Sequence, residues 1–289
     1  MDKKQVVVTG ASSKTIALLI DKMLESGYSV TAVSRVKYEN EHRESVTWVQ
    51  CNLSDPDQDF SFIRDADLLI HAAAISYAYT LDDYLLNNYQ STVNLVEASE
   101  KFGVKKFVYI SSILAGYGYG DYAVSKIKSE EYIRQELNSW LIIRPAQLYG
   151  YTMSNPVDKL INTIREKSIV FSPIGDKKTI SPLHYKELVR LIFLSVIKNE
   201  ESNVVKVFSG PESFTYKELV KEIINIQRRK VVIVPIPKIL IMLVYYLLKI
   251  SRLKIGVYPD QLFRFYNNPQ NEVSPDKTIT IAEYLGENL

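Results

Sequence analysis

Gln5-Val6-Val7-Val8-Thr9-Gly10-Ala11-Ser12-Ser13-Lys14-Thr15-Ile16 is the stretch on which the fold turns. Val6–Thr9 is a short apolar run closing on a threonine and a glycine, the pattern of a buried strand entering a turn. Ala17–Ser26 then has helical length, and Gly27 stands where a helix C-cap is expected. A strand, a tight turn and a helix N-terminus in this order favour anions. Unpaired N–H groups and the positive end of the helix dipole converge there.

Working outward, the alternation continues. Ser29–Ser34, Thr47–Gln50, Asp67–His71, Lys106–Ser111 and Trp140–Arg144 read as strands, with helical segments such as Asp82–Phe102 and Tyr122–Leu137 between them. In the first of these helices Leu85, Val93, Leu95, Val96 and Phe102 recur at spacings that suit a buried stripe. Apolar strands alternating with helices imply a parallel sheet covered on both faces. Six such strands before residue 145 predict an α/β fold, a Rossmann-type doubly wound parallel sheet forming a dinucleotide-binding domain over residues 1–150. Beyond Gly150 the pattern loosens. Asn155–Lys167, Lys186–Lys198 and Thr215–Arg228 read as helices and Val204–Phe208 as a strand. Residues 151–289 are therefore expected to be mainly a smaller α/β C-terminal substrate lobe, with some elements returning to the main sheet. Ile239–Leu248 is a ten-residue apolar run, too short to span a bilayer. A core or pocket-lid helix is its first reading and an interfacial membrane helix its second.

In a dinucleotide-binding loop the first glycine makes the turn, the second admits the pyrophosphate, and the third packs helix on strand. Only Gly10 is in place, with Ser13 and Ile16 at the other two positions. Ser12 and Ser13 are small, Ser13 can donate a hydrogen bond, and Lys14 can add charge beside a phosphate. Ile16 is expected to displace the helix or reshape the loop. Taken alone, the loop suits a plain strand–helix turn as well as a cofactor site. The second strand ends in Ser34-Arg35. An acid there would bind the ribose hydroxyls of NAD, whereas an arginine accommodates the 2′-phosphate of NADP. NADP is the cofactor expected, with NAD the alternative; a solvated arginine is the plain reading.

Ser111-Ser112 closes one strand, and Tyr122-Ala123-Val124-Ser125-Lys126 opens the following helix. One helical turn places Tyr122 and Lys126 on the same face. An ammonium beside a phenol favours the phenolate, and such a tyrosine can exchange a proton with an alcohol or carbonyl oxygen while a nicotinamide carries hydride. Tyrosine and lysine one turn apart are common in helices, so the pair alone decides little.

Its setting decides more. Val8-Thr9-Gly10-Ala11, Asn52-Leu53-Ser54-Asp55, Asp67 through Ala74, and Asn88 with Asn94 through Ala98 are joined by Lys105 through Ser112, Ser129-Glu130 and Arg144 through Gly150. Pro173-Ile174-Gly175-Asp176, Ser181 through His184 and Ser209 through Glu212 continue the series. In that order they resemble the extended short-chain dehydrogenase/reductase family, also called the NAD-dependent epimerase/dehydratase family. The resemblance implies a Ser112/Tyr122/Lys126 triad, with Tyr122 as acid/base and Lys126 binding the nicotinamide ribose and tuning the tyrosine. It also implies that Asn52 and Leu53 contact adenine, although the family usually has Asp at the place of Asn52. Ala72, Ala73 and Ala74 would run beneath the cofactor and Pro145 would adjoin the nicotinamide. Asn88 would order the central helix, and His71 reads as structural.

The leading substrate implied is a nucleotide sugar, handled by a 4-epimerase or a 4-keto-sugar reductase. Dehydratase chemistry fits less well, because Ile113 and Leu114 replace the usual acidic pair after Ser112. Many members carry an arginine for the substrate diphosphate where this chain has Ile180; Lys177, Lys178 or Arg264 are the candidates to replace it. A less polar carbonyl or hydroxyl substrate is the alternative, with Tyr77, Tyr79, Tyr84 and Ile239–Leu248 as pocket walls. A cofactor-binding sensor without turnover is the competing class of function. A homodimer through the Asp82–Phe102 and Tyr122–Leu137 helices is a further implication of the family.

Bulk composition agrees. The 289 residues are 46% hydrophobic and 24% charged, with 35 basic against 33 acidic groups. That balance does not favour nucleic acid as a partner. Lone Cys51 excludes an intrachain disulfide and offers no cysteine cluster for a metal. With no signal-peptide pattern and no transmembrane segment, the expectation is a cytoplasmic enzyme.

Overall fold

The computed structural model describes residues 3–36, 45–150, 155–175, 178–197, 202–251, 253–266, 273–274 and 278–287. Its centre is a seven-stranded sheet. The strands are β1 (Gln5–Thr9), β2 (Ser29–Ser34), β3 (Val46–Gln50), β4 (Leu68–His71), β5 (Phe107–Ile110), β6 (Trp140–Pro145) and a seventh, Val204–Phe208. Their order across the sheet is Val204–Phe208, β6, β5, β4, β1, β2, β3, and every pairing is parallel. The α/β architecture read from the alternation is thus the one observed. β1 lies between β2 and β4, so the winding reverses there and a crevice opens beyond the C-terminal ends of the strands.

Successive side chains of a strand face opposite ways, and β1 shows how both faces are filled. Val6 and Val8 join Ile16, Leu19 and Ile20 of α1 (Lys14–Glu25) and Leu188 and Ile192 of the helix Tyr185–Ile197 in one core. Val7 joins Leu69, Leu95 and Ile142 in the core on the other face. A third core holds the C-terminal lobe together, with Val157, Ile164, Leu219, Ile223 and Ile281 packed around Tyr149.

Three sequence expectations change. The segment expected as one helix over Asp82–Phe102 is helical at Leu81–Tyr84, widens to a π-helical turn at Leu85–Gln90, and resumes at Ser91–Phe102. The wide turn presents Asn88, whose side chain accepts from Ile75 N at 2.8 Å and donates to Ile75 O at 3.1 Å. Ile16 neither expels α1 nor opens the loop: it is 5% exposed within the first core, and the helix begins two residues before it. Finally, the apolar run forms the helix Lys238–Ser251, but of its residues only Ile241 and Leu248 are buried. It packs by a narrow stripe on the helix Pro259–Tyr266, so it is not a core helix. No helix among the described residues is long and apolar enough to cross a membrane.

Candidate active site

Thr9 organises the crevice. Its hydroxyl oxygen accepts the N–H groups of Ala72 and Ala73, both at 3.2 Å, and lies 2.8 Å from His71 Nδ1. This ties the loop after β4 to the end of β1. His71 is fully buried, with Nε2 3.2 Å from Thr92 Oγ1; burial, aided by Lys126, pushes its pKa down to about 3. It is a neutral structural bridge, as its sequence setting suggested.

Gly10 turns with φ +74°, and a Cβ added there would sit 2.9 Å from Ala73 N and 3.0 Å from Ala72 O. No side chain fits both the dihedral and the space. Beyond this turn lies a cavity of about 280 Å³. Gly10, Ser12, Ser13, Arg35, Leu53, Ala72, Ala73 and Ala74 line it, so eight residues expected at the cofactor meet around one space. Lys14, Asn52, Lys126 and Pro145 are not among the lining residues. Lys14 opens α1, Asn52 is exposed with Oδ1 accepting from Ser54 N at 3.4 Å, and Pro145 ends β6. Asn87 and Ser91 were missed by the sequence reading and also line the cavity. Asn87 Oδ1 accepts from Arg35 Nη1 at 2.9 Å, aligning that guanidinium at the rim. Cys51 lines it too, its thiol pushed up to about 11 by burial and by Asp55 and Asp59. No carboxylate is among the lining residues.

The expected triad sits where the β5 loop meets the helix Asp121–Glu136. Lys126 is 1% exposed; its Nζ donates to Tyr109 Oη at 3.1 Å and Ile110 O at 3.0 Å, and lies 6.0 Å from the centre of the Tyr122 ring. Burial lowers the Lys126 pKa, while Tyr122 and Glu130 oppose that shift. The two serines have different neighbours. Ser111 Oγ donates to Glu130 Oε1 at 2.6 Å, whereas Ser112 Oγ accepts Leu114 N at 3.3 Å. Glu130 is itself buried and gripped by Arg144 through Nε (2.9 Å) and Nη2 (2.6 Å), and by Arg134 Nη2 at 2.7 Å. This charge-assisted fork locks β6 to the helix that carries Tyr122. Ser111 belongs to that lock, whereas Ser112 makes no bond to it.

The sequence reading also missed Asp260. The helix Asp121–Glu136 has Gly120 as its N-cap and makes no side-chain capping bond of its own. Asp260 Oδ1, from 139 residues away, accepts Asp121 N at 2.8 Å, and a Cβ on Gly120 would collide with that carboxylate. Asp260 Oδ2 accepts from Arg264 Nε at 2.8 Å and from Tyr84 Oη at 3.4 Å. Burial raises the Asp260 pKa; Arg264 counters it. Arg264 also donates to Ser76 O at 2.9 Å and lies over the Tyr122 ring at 5.0 Å. Tyr84 meets that ring edge-on, with centroids 5.8 Å apart.

A second pocket of about 240 Å³ adjoins this group. Tyr77, Leu114, Val157, Leu160, Ile180 and Leu219 give it an apolar lining, and Gln147, Lys159, Gln261 and Arg264 supply polar groups. Of the expected walls, Tyr77 lines it, Tyr84 lies buried beneath Tyr122, and Tyr79 meets Tyr258 with centroids 4.6 Å apart. The helix Lys238–Ser251 contributes no lining residue. Lys178 lies 4.8 Å from the Tyr119 ring, and Lys177 is outside the described residues.

The sequence profile of the NAD-dependent epimerase/dehydratase family matches residues 6–207. The chain belongs to that family. As a member it is an enzyme of the nicotinamide-dependent epimerase/dehydratase type. An uncharacterized chloroplastic protein of Arabidopsis thaliana is 27% identical over 247 residues, covering 75% of this chain and 81% of its relative. A sterol-4-alpha-carboxylate 3-dehydrogenase (decarboxylating) of Dictyostelium discoideum is 25% identical over 245 residues, 74% of each protein. Among solved structures, the UDP-glucuronic acid 4-epimerase of Bacillus cereus in complex with UDP-glucuronic acid and NAD superimposes with a TM-score of 0.68. That match is 18% identical and covers 81% of this chain and 86% of the epimerase.

Proposed function

We propose that this epimerase/dehydratase-family enzyme uses NADP(H) to oxidise or reduce a secondary alcohol or ketone, with Ser112, Tyr122 and Lys126 as its catalytic residues. The observation that carries the reading is the buried Lys126 side chain, with Nζ 6.0 Å from the centre of the Tyr122 ring, which Arg264 of the second pocket covers at 5.0 Å. The first cavity fits a dinucleotide: a glycine-only turn lets the backbone approach, and α1 points its N-terminus there. Arg35, with no carboxylate among the described lining residues, suits a 2′-phosphate. When bound, a nicotinamide accepts or supplies the hydride. Tyr122 Oη holds or gives the proton at the substrate oxygen. The Lys126 charge favours the phenolate partner of that exchange, and the Ser112 hydroxyl donates to the same oxygen.

The substrate side favours a less polar molecule. Ile180 lines the pocket, and Arg264 has Nε on Asp260 and Nη2 on Ser76 O. A nucleotide sugar, turned over by a 4-epimerase or 4-keto-sugar reductase, is the second reading; it is supported by the UDP-sugar epimerase that shares the fold. Fluorescence titration with NADPH and NADH, followed by turnover assays on aliphatic and cyclic ketones and on UDP-sugars, tests both. Tighter binding of NADPH and turnover of apolar ketones are expected. Turnover of UDP-sugars alone would replace the substrate reading, and no binding of either dinucleotide at millimolar concentration would sink the enzyme mechanism.

A further inference from the structure

The helix Lys238–Ser251 is apolar on nearly every side, yet the fold covers only one stripe of it. Ile241 and Leu248 are buried, and Tyr245 meets Phe263 with ring centroids 5.4 Å apart. Leu240, Leu243, Leu247 and Ile250 follow one another at i, i+3, i+7 and i+10, which puts them on one outward face, 51–79% exposed. A helix apolar all round belongs in apolar surroundings, and a continuous exposed patch of this kind marks a contact surface. The patch extends past the helix. Ile174, exposed, donates its N–H to Ile236 O at 3.0 Å two residues before the helix begins, and Leu253 and Ile255 are exposed after it ends.

Length and charge choose the occupant. Fourteen residues rise only about 21 Å, short of the roughly 30 Å of a bilayer core, so the helix does not span one. Between residues 228 and 259 the chain carries Arg228, Arg229, Lys230, Lys238, Lys249, Arg252 and Lys254, and no Asp or Glu. Of the nearby acids, Asp121 pairs with Lys249 at 3.6 Å and Asp260 is buried in its bond to Arg264. A second copy of this chain meeting the patch through a two-fold axis would set two such basic segments against each other. An anionic lipid surface offers apolar depth and the opposite charge together.

We propose that this face docks on an anionic phospholipid bilayer. Lys238–Ser251 lies in the headgroup plane with its outward leucines in the acyl boundary, Tyr246 sits at the interface and the flanking lysines and arginines meet lipid phosphates. The docked helix packs on Pro259–Tyr266, which supplies Gln261 and Arg264 to the substrate pocket. One helix therefore separates the lipid from the pocket wall. Docking needs neither cofactor nor turnover, so its test is independent of the catalytic reading.

The test is co-sedimentation of the full chain with vesicles of equal parts phosphatidylglycerol and phosphatidylcholine, or of phosphatidylcholine alone. The protein is expected to pellet with the anionic vesicles at low salt and to be released at high salt. Leu243→Asp with Leu247→Asp should abolish pelleting while the circular-dichroism melt is unchanged. Lys238→Gln with Lys254→Gln should weaken it by about fivefold per charge. Failure of the wild type to pellet with anionic vesicles at low salt would overturn the proposal. So would equal pelleting with phosphatidylcholine alone, or a dimer by light scattering that the double aspartate variant dissociates.

Discussion

The cavity beyond the Gly10 turn is walled by residues between Gly10 and Ser91, whereas the pocket beside Arg264 draws on residues from Tyr77 to Arg264. The first is made at the ends of neighbouring parallel strands, where backbone geometry and one glycine do most of the shaping. The second is assembled from a strand-end loop, two helices of the C-terminal lobe and the late helix Pro259–Tyr266. The Tyr122 ring lies 6.0 Å from Lys126 Nζ and 5.0 Å from the guanidinium of Arg264, a residue of the second pocket. The first cavity is thus shaped largely by strand ends within the first hundred residues, while the second depends on contacts that close long loops of chain.

That division can be broken at Tyr122. Tyr122→Phe is expected to lower kcat by about a thousandfold, within the range for a lost acid/base group, while the NADPH titration is unchanged. Unaltered turnover would show that the two halves meet somewhere else. On the cofactor side, Arg35→Ala removes a charge-assisted contact and should weaken NADPH by about ten- to a hundredfold, with little effect on NADH. Equal losses for the two dinucleotides would remove Arg35 from the 2′-phosphate.

From the substrate side, Asp260→Ala strips the remote cap from the Tyr122 helix and leaves Arg264 without its carboxylate. A cap is worth about 1 kcal/mol; carried over to the placement of Tyr122, that loss should lower kcat about fivefold with the NADPH titration unchanged. Asp260→Asn, which keeps an acceptor for Asp121 N, should recover most of it. A variant that loses stability but retains kcat would make Asp260 a purely structural residue.

The smallest effect concerns the sheet beneath both halves. His71 is held neutral with its pKa near 3, while the unfolded chain takes up that proton near pH 6.5. Below pH 6.5 the unfolded state binds more protons, so stability declines as pH falls from about 6.5 towards 3. The slope from this group is at most about 1.4 kcal/mol per pH unit. His184, pushed down to about 4 by burial and Lys186, acts in the same direction. Denaturant melts of His71→Asn across that window should show a shallower slope than the wild type.

Strand and helix identities were legible because apolar runs and helical spacings are local, and β1 through β6 lie within a residue or so of where the pattern puts them. One helical turn places Tyr122 and Lys126 on a face, but the role expected of the pair came from the ordered segments around it, which resemble a known family. Ile16 misled because a lost glycine reads as a defect, although a side chain at that position can bury itself between α1 and the sheet. The choice between Ser111 and Ser112 has its tertiary counterpart in the Glu130–Arg144 fork, which engages one serine and not the other.

The sequence by itself determined the doubly wound sheet and the glycine turn, because each rests on backbone rules that act over a few residues, whereas most residues expected at the cofactor came with the family resemblance. The tertiary structure alone decided that Asp260 caps the Tyr122 helix, that Arg264 covers its ring, and that the helix Lys238–Ser251 faces outward. Those outcomes depend on where a distant segment comes to rest, and periodicity along the chain carries no information about which neighbour a face will meet.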